Sequence, residues 1–166
     1  SVELFTGTLR EVQSSLRNGD SDICFSITGL EPTLEQNTYA CQSLWQEDLC
    51  LVIRKDHPFV TSGGKDFSML ENELFTLLDE EAAPGYHTLL QVVCSEVGFH
   101  ILKPPVYYTK YGPMVIQIAT GMYASILPSD LSAHLCASFP NVTAIPLKKD
   151  CLNYCALWDQ DSQNAT

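Results

Sequence analysis

Basic side chains are scarce in this sequence. Nine lysines and arginines stand against 20 aspartates and glutamates, which gives a formal net charge of −11 at pH 7. Binding to nucleic acid depends on lysine and arginine contacts with phosphates. The composition therefore argues against a nucleic-acid-binding surface in this segment and predicts an acidic surface that favours solubility.

Long apolar runs are also missing. No stretch reaches the roughly 20 apolar residues that a membrane-spanning helix needs, and the chain opens in the strand-like Val2–Phe5 without a signal-peptide pattern. We therefore expect no membrane contact and a cytoplasmic location. The 45% hydrophobic content is typical of a globular chain, and 166 residues suffice for one domain or two small lobes.

The seven cysteines do not form a disulfide or metal-binding pattern. Their number is odd, and most of them replace an aliphatic residue in a strand or helix pattern. This favours reduced, buried thiols in a cytosolic protein over a secreted disulfide framework. Cys151 and Cys155 are four residues apart, but no second cysteine or histidine pair accompanies them at ligand spacing. We expect no metal and no cofactor.

The apolar pattern predicts strands alternating with helices. Thr8 and Glu11 have the spacing of a capping box, and Gly19 closes the helix that they open. The next strand, 22–27, is nearly all apolar, as expected of a strand buried on both faces. Alternation at crossover spacing predicts parallel pairing in an α/β fold.

The stretch Tyr107–Pro128 organises the rest of the chain. It predicts a strand end, a polar and aromatic turn, a short helix and a second strand. Gly112–Pro113 suits a helix start, and Gly121 supplies the left-handed residue that ends the helix. We expect the buried side of that helix to consist of Val115, Ile116, Ile118 and Ala119. A strand that leads into a helix N-terminus leaves backbone N–H groups that attract anions and polar ligand groups.

Three predicted strand ends carry polar side chains. The first has Ser26 and Thr28, the second leads into Tyr86, His87 and Thr88, and the third into 109–111. Since ligands of open α/β sheets bind at the carboxyl ends of strands, we expect these groups to converge. A flexible break, Ser62–Lys65, divides the chain into two groups of elements and favours two lobes with a cleft between them.

Three motifs in this order resemble one family. Leu16–Ile23 is similar to a family L-x-x-G-x-x-D turn, and Leu49–Pro58 to a strand that ends in His-Pro. Ile118–Pro128 is similar to the segment V-x-x-G-x-G-I-x-x-L-P, with Tyr123 in place of the second glycine. Together they resemble the effector-binding (regulatory) domain of LysR-type transcriptional regulators, over essentially the whole chain.

The resemblance implies an α/β fold of two Rossmann-like lobes with an inter-lobe cleft, like the type II periplasmic binding proteins. Lobe I then comprises residues 1–66 and 148–166, and lobe II comprises residues 67–147. The family binds a small metabolite, often a carboxylate, between the lobes and functions as a homodimer or higher oligomer. It contacts DNA only through an N-terminal winged helix-turn-helix, which this sequence does not contain. The alignment also implies a domain truncated at both ends.

The resemblance places the effector at the three strand ends. The implied effector-binding residues are Ser26, Thr28, Tyr86, His87, Thr88, Thr109, Lys110, Tyr111 and Gly112. The residues alone leave other roles open. Ser26 and Thr28 suit ordinary turn chemistry, His87 suits a helix cap or the surface, Lys110 suits solvent, and the tyrosines suit core packing.

Two other functions compete with the effector-binding domain. A solute-binding protein of a transport system has the same fold, but the missing signal peptide and the cysteine count argue against it. An enzyme would need a nucleophile such as Cys94 or Cys136 with a base. Cys94 falls on the apolar face of its helix, and no acid–base pair accompanies it in the sequence. We therefore expect no catalytic residues.

Overall fold

The computed structural model describes residues 2–28 and 38–161. Residues 1, 29–37 and 162–166 lie outside this range. The sequence suggests an irregular polar segment over 29–42, but residues 39–42 are part of a strand. The helices are α1 (Leu9–Asn18), α2 (Pro58–Thr61), α3 (Tyr86–Val97), α4 (Tyr111–Ala119) and α5 (Ser129–Ser138). The strands are β1 (Ile23–Thr28), β2 (Tyr39–Arg54), β3 (Thr76–Leu78), β4 (Val106–Tyr108), β5 (Ser125–Pro128) and β6 (Val142–Asp159).

Strand pairing is mostly antiparallel. A four-stranded sheet has the order β1-β6-β2-β5, and all its neighbours run antiparallel. Among the described strands β3 and β4 pair in parallel, and a parallel bridge joins Phe75 to Ala124, just before β5. The prediction of parallel pairing is therefore correct for the β3–β4 part and wrong for the larger sheet. The alternation rule fails there because β2 and β6, of 16 and 18 residues, pair with each other along most of their length.

The apolar pattern predicts two strands near the end of the chain, 142–147 and 151–158, and the structure has one bulged strand in their place. β6 runs without interruption through Asp150, which adopts a left-handed conformation with φ 48°. Aspartate tolerates this conformation better than most residues. The Asp150 N–H donates to Asp48 Oδ1 at 2.9 Å, which fixes the distortion against β2.

Near the start of the chain, the predicted strand 2–5 is wrong, and the predicted strand 22–27 is found as β1 but is not buried on both faces. Residues 2–5 form no strand, and Val2 and Leu4 are 91% and 89% exposed, because no described strand pairs with them. β1 is buried on one face only, with Cys24 and Ser26 inside and Phe25 67% exposed. Its inner face packs on α1, while no helix in the described ranges covers the outer face.

Helix ends follow the local sequence closely. Thr8 and Glu11 form the predicted capping box, and Gly19 and Gly98 end α1 and α3 in left-handed conformations. The sequence suggests Ser68 and Glu71 as caps of a short helix, but the structure has a 3-10 turn over Phe67–Leu70 that is capped by Asp66. Asp66 is better placed because its carboxylate accepts from both the backbone N–H and the hydroxyl of Ser68.

The buried face of α4 differs from the prediction. Met114 and Ile118 are fully buried, whereas Ile116 is 65% exposed. The helix begins at Tyr111, so Pro113 is its third residue rather than its first. Met114 and Ile118 are four residues apart and so lie on one face of the helix, and α4 packs with Val52 and Leu127 in a second core cluster beside the main one.

No helix in the described ranges is both long and apolar enough to cross a membrane.

Candidate functional site

The carboxyl ends of β3 and β4 meet at one edge of their sheet. The parallel register pairs Leu78 with Tyr108, so the following residues, Asp79 and Thr109, are neighbours. The Asp79 N–H donates to the Tyr108 carbonyl at 3.0 Å. The Thr109 hydroxyl donates to Asp79 Oδ2 at 3.2 Å. The structure thus brings two of the three predicted strand ends together.

The start of α3 contributes residues of different exposure. Tyr86 is buried and donates its hydroxyl to the Ile126 carbonyl, and burial raises the pKa of that phenol. His87 is half-buried, with Nε2 2.7 Å from the Leu78 carbonyl and its ring centroid 4.9 Å from that of Tyr107. Thr88 is exposed at the first turn. Tyr86 therefore belongs to the core, and Thr88 remains accessible to a ligand.

The start of α4 is open. Lys110 is exposed and precedes the helix, and no side chain in the described ranges caps its N-terminus. Gly112 has no neighbouring atom within 4 Å of the position that a Cβ would occupy. The Tyr111 hydroxyl is buried without a hydrogen-bond partner among the described residues, and burial raises its pKa to about 12.

The end of β1 is arranged differently. Ser26 is 4% exposed, and its hydroxyl accepts a hydrogen bond from Gln13 Nε2 on α1 at 3.1 Å. Thr28 ends the strand, and its side chain lies outside the described part. In this arrangement the Ser26 hydroxyl serves the contact between β1 and α1.

The helix N-termini differ in whether the protein already supplies an acceptor. At α1, Thr8 caps the helix and the Leu9 N–H donates to the Ala82 carbonyl at 3.1 Å. At α5, the sequence suggests Ser129–Asp130 as the helix cap. Glu47 takes this role instead, with Oε2 3.3 Å from the Asp130 nitrogen. No side chain within residues 2–28 and 38–161 caps α3 or α4. Since the first turn of a helix has no intrahelical acceptors for its N–H groups, the first turns of these two helices are left open to a ligand. At α3 the Glu80 carboxylate accepts only from the N–H of the N-cap residue Gly85, at 2.6 Å.

Glu47, Asp79 and Arg10 take part in these contacts although the sequence did not point to them. Glu47 is 8% exposed and also accepts from Trp45 Nε1 at 3.2 Å. Asp79 accepts from the Ala82 N–H at 2.8 Å as well as from Thr109. Each partner is distant in sequence or fixed by a turn that only the folded chain defines, so no local pattern could have identified it.

A cavity of about 730 Å³ is lined by residues of α3, of β3 and β4, and of the segment between α3 and β4. Its walls come from Leu77, Leu90, Cys94, His100, Ile101 and Tyr107, among others. Of the nine predicted effector residues only His87 lines it. The cavity is therefore distinct from the site at the carboxyl ends of β3 and β4, although the His87 side chain contributes to both.

The cysteines do not form a reactive or metal-binding site in the described ranges. None of the seven, all of which lie in those ranges, forms a disulfide. No group of three His, Cys, Asp or Glu side chains there could hold a metal ion. Cys94 is 2% exposed, and burial raises the pKa of its thiol to about 12. Such a thiol is mostly protonated near neutral pH and is a poor nucleophile.

Comparison with known proteins identifies the class. The model of the LysR substrate binding domain family matches residues 1–166. The chain therefore belongs to this family and is an effector-binding domain of the LysR-type transcriptional regulators, with the type II periplasmic-binding-protein-like fold that the sequence predicted. The family match does not favour the alternative that the chain is a solute-binding protein of a transport system.

Solved structures agree with this fold. The effector-binding domain of QuiR in complex with shikimate has a TM-score of 0.71 at 18% identity, over 95% of this chain and 71% of that one. The C-terminal domain of a probable LysR family regulator from Rhodococcus sp. RHA1 has a TM-score of 0.71 at 18% identity, over 98% and 78%. Full-length CbnR complexed with its target DNA has a TM-score of 0.71 at 17% identity, and this chain spans 55% of its length. No curated protein sequence gives a significant match.

Proposed function

We propose that this chain senses a small, carboxylate-containing metabolite for a bacterial LysR-type regulator. The ligand binds between a lobe I of residues 1–66 and 148–166 and a lobe II of residues 67–147. The proposal rests above all on the open N-termini of α3 and α4 beside the joined ends of β3 and β4. A shikimate complex of the QuiR domain supports the class of ligand.

The chemistry at the start of α4 suits a carboxylate. Backbone N–H groups of Tyr111 and Gly112 lie in the first helical turn, where the helix dipole favours negative charge. Thr109 precedes them with a hydroxyl group, and the Lys110 ammonium is available for a charge-assisted hydrogen bond. The buried Tyr111 hydroxyl supplies a further donor that no described protein group uses.

The remaining predicted residues take different parts. His87 and Thr88 lie at the N-terminus of α3, the second helix start of the proposed site. The acidic segment between β3 and α3 borders the site there. Glu80 Oε1 accepts from the Gly85 N–H at 2.6 Å, so this carboxylate already has a protein donor. Tyr86 acts through packing, and Ser26 acts through its bond to Gln13. Thr28 completes the proposed site from lobe I.

The regulator is proposed to function in the cytoplasm as a homodimer or higher oligomer, bound to DNA through a winged helix-turn-helix outside this segment. Full-length CbnR, which has the same fold over its matching part, is known in complex with its target DNA. No catalytic residue enters the proposal, because Cys94 is buried with a raised pKa and Asp79 is engaged in its turn.

A thermal-shift comparison of acids with their neutral amides tests the proposal. Benzoate is compared with benzamide and shikimate with shikimamide, and glutamate is included as a separate acid. At least one acid should raise the melting temperature, because ligands that bind only the folded state stabilise it, while its amide should not. Thr109→Val and Thr88→Ala should reduce this shift, and the exposed Thr61→Ala on α2 should leave it unchanged. Equal shifts with acid and amide, or no effect of the two variants, would contradict a carboxylate site here.

A further inference from the structure

Three consecutive backbone carbonyls point at the first turn of α1. The Arg10 guanidinium donates to the carbonyls of Glu80 and Glu81, at 3.1 Å and 3.3 Å, and the Leu9 N–H donates to the carbonyl of Ala82 at 3.1 Å. Arg10 lies about 70 positions from these acceptors in sequence. Two adjacent residues of one helix therefore hold one whole segment of the chain, residues 79–83, by its main chain.

The other side of the same segment contacts the candidate effector site. The Asp79 N–H binds the Tyr108 carbonyl, and the Asp79 carboxylate receives the Ala82 N–H and the Thr109 hydroxyl. The Ala83 N–H donates back to the Asp79 carbonyl at 3.0 Å. The segment is thus fixed between α1 on one side and the start of α4 on the other.

The guanidinium fork is the main side-chain contribution to this contact. Arg10 is 41% exposed, and its ion pair with the Glu81 carboxylate, Nε–Oε1 3.4 Å, is a surface pair of little expected energy. Its two bonds to carbonyls instead use separate nitrogens in a rigid geometry that a lysine ammonium does not reproduce. The carbonyl bonds, rather than the ion pair, are the part that can fix a main chain.

We infer that Arg10 is a positioning residue that holds segment 79–83 against α1 and so sets the affinity of the effector site at Asp79 and Thr109. It acts through the segment and does not touch the ligand. Without it the segment samples conformations in which Asp79 and Thr109 are no longer held together. Because apparent affinity falls with the fraction of molecules in the binding-competent state, a loss of nine-tenths of that state weakens binding about tenfold.

The inference rests on the proposed function for its affinity part only, and hydrogen exchange of the ligand-free protein tests the positioning part separately. Amide exchange of Asp79, Ala82, Ala83 and Leu9 is measured in the wild type, Arg10→Gln and Arg10→Lys. Arg10→Gln should speed exchange at these amides severalfold, and Arg10→Lys should restore little of the protection. Glu81→Gln, which keeps the carbonyl, and Arg17→Gln, on the last turn of α1, should match the wild type. Unchanged exchange in Arg10→Gln, or the same increase in Glu81→Gln, would overturn the inference.

Affinity for benzoate, shikimate and glutamate is then measured in the same variants of the full-length protein. We expect the acid that stabilises the wild type to bind Arg10→Gln about tenfold more weakly and Arg17→Gln with wild-type affinity. Faster exchange with unchanged affinity would overturn the inference that Arg10 sets the affinity of the effector site, and it would leave the proposed function standing. If no acid binds the wild type, the proposed function and the affinity part fail together, and exchange alone decides whether Arg10 holds the segment.

Discussion

Thr109 donates its hydroxyl to Asp79 across the ends of two parallel strands, with Oγ1 3.2 Å from Oδ2. This bond ties the segment before α3 to the segment before α4. It therefore fixes the relative position of the two open helix N-termini, on which the proposed carboxylate site depends.

Replacing Thr109 by valine and by serine separates the hydroxyl from the shape of the side chain. Thr109→Val should lower the free energy of unfolding by about 0.5–1.5 kcal/mol relative to Thr109→Ser, which keeps a donor for Asp79. Urea denaturation measures the difference. Equal stability of the two variants would show that the bond does not hold the strand ends together.

The buried His57–Glu73 pair predicts a second stability effect. His57 Nδ1 accepts the Phe59 N–H at 3.1 Å, so Nε2 carries the proton and lies 2.7 Å from Glu73 Oε2. His57→Ala leaves a nearly buried carboxylate without this donor and should cost about 1–3 kcal/mol. His57→Asn, which can still cap α2, should recover part of the loss in the same denaturation experiment. If His57→Ala left the free energy of unfolding unchanged, the structural role of the pair would be contradicted.

Two residues on α4 form a matched test of helix orientation. Met114 is fully buried and Ile116 is 65% exposed. Met114→Ala should destabilise the fold by about 2–5 kcal/mol, while Ile116→Ala should change it by less than about 0.5 kcal/mol. A larger loss of stability in Ile116→Ala than in Met114→Ala, measured by thermal or urea unfolding, would support the buried helix face that the sequence predicted.

We expect the buried Cys94 thiol to cause a loss of stability at alkaline pH. Burial raises the pKa of its thiol from 9.0 to about 12. The thiol has a higher pKa in the folded protein than in the unfolded chain. Its contribution to the free energy of unfolding is therefore complete below pH 9 and is lost as the pH rises from 9 through about 12. The free energy of unfolding should fall over that range, and the fall should be smaller in Cys94→Ala than in the exposed-site control Cys41→Ala. An identical pH profile in both variants would contradict the assignment.

Local chemistry made the helix ends predictable. The capping box of Thr8 and Glu11 and the left-handed glycines at 19, 98 and 121 depend on residues within one turn of each other, and all of them are found. The start of α3 was predictable to within one residue, whereas α4 begins at Tyr111, two residues before the predicted first helical residue Pro113. The family itself was predictable from three motifs spread over the chain.

Long-range pairing was less predictable. The sequence around β2 and β6 does not state that they run antiparallel, because strand direction depends on which distant strand lies alongside. Glu47 reaches α5, and Arg10 reaches segment 79–83, only after the chain has folded. Ser26 satisfied the predicted pattern at a strand end, yet its hydroxyl is bound by Gln13, a partner with no sequence signature.

Backbone amide shifts test the central claim most directly. ¹H–¹⁵N spectra are recorded while the acid that stabilises the protein is added. The N–H signals of Tyr111, Gly112, His87 and Thr88 should move on binding, because their helix N-termini have no side-chain cap among the described residues. Those of Leu9 and Asp130, which already have protein acceptors, should stay in place. Shifts at Leu9 and Asp130 with none at Tyr111 and Gly112 would contradict a carboxylate site at the start of α4.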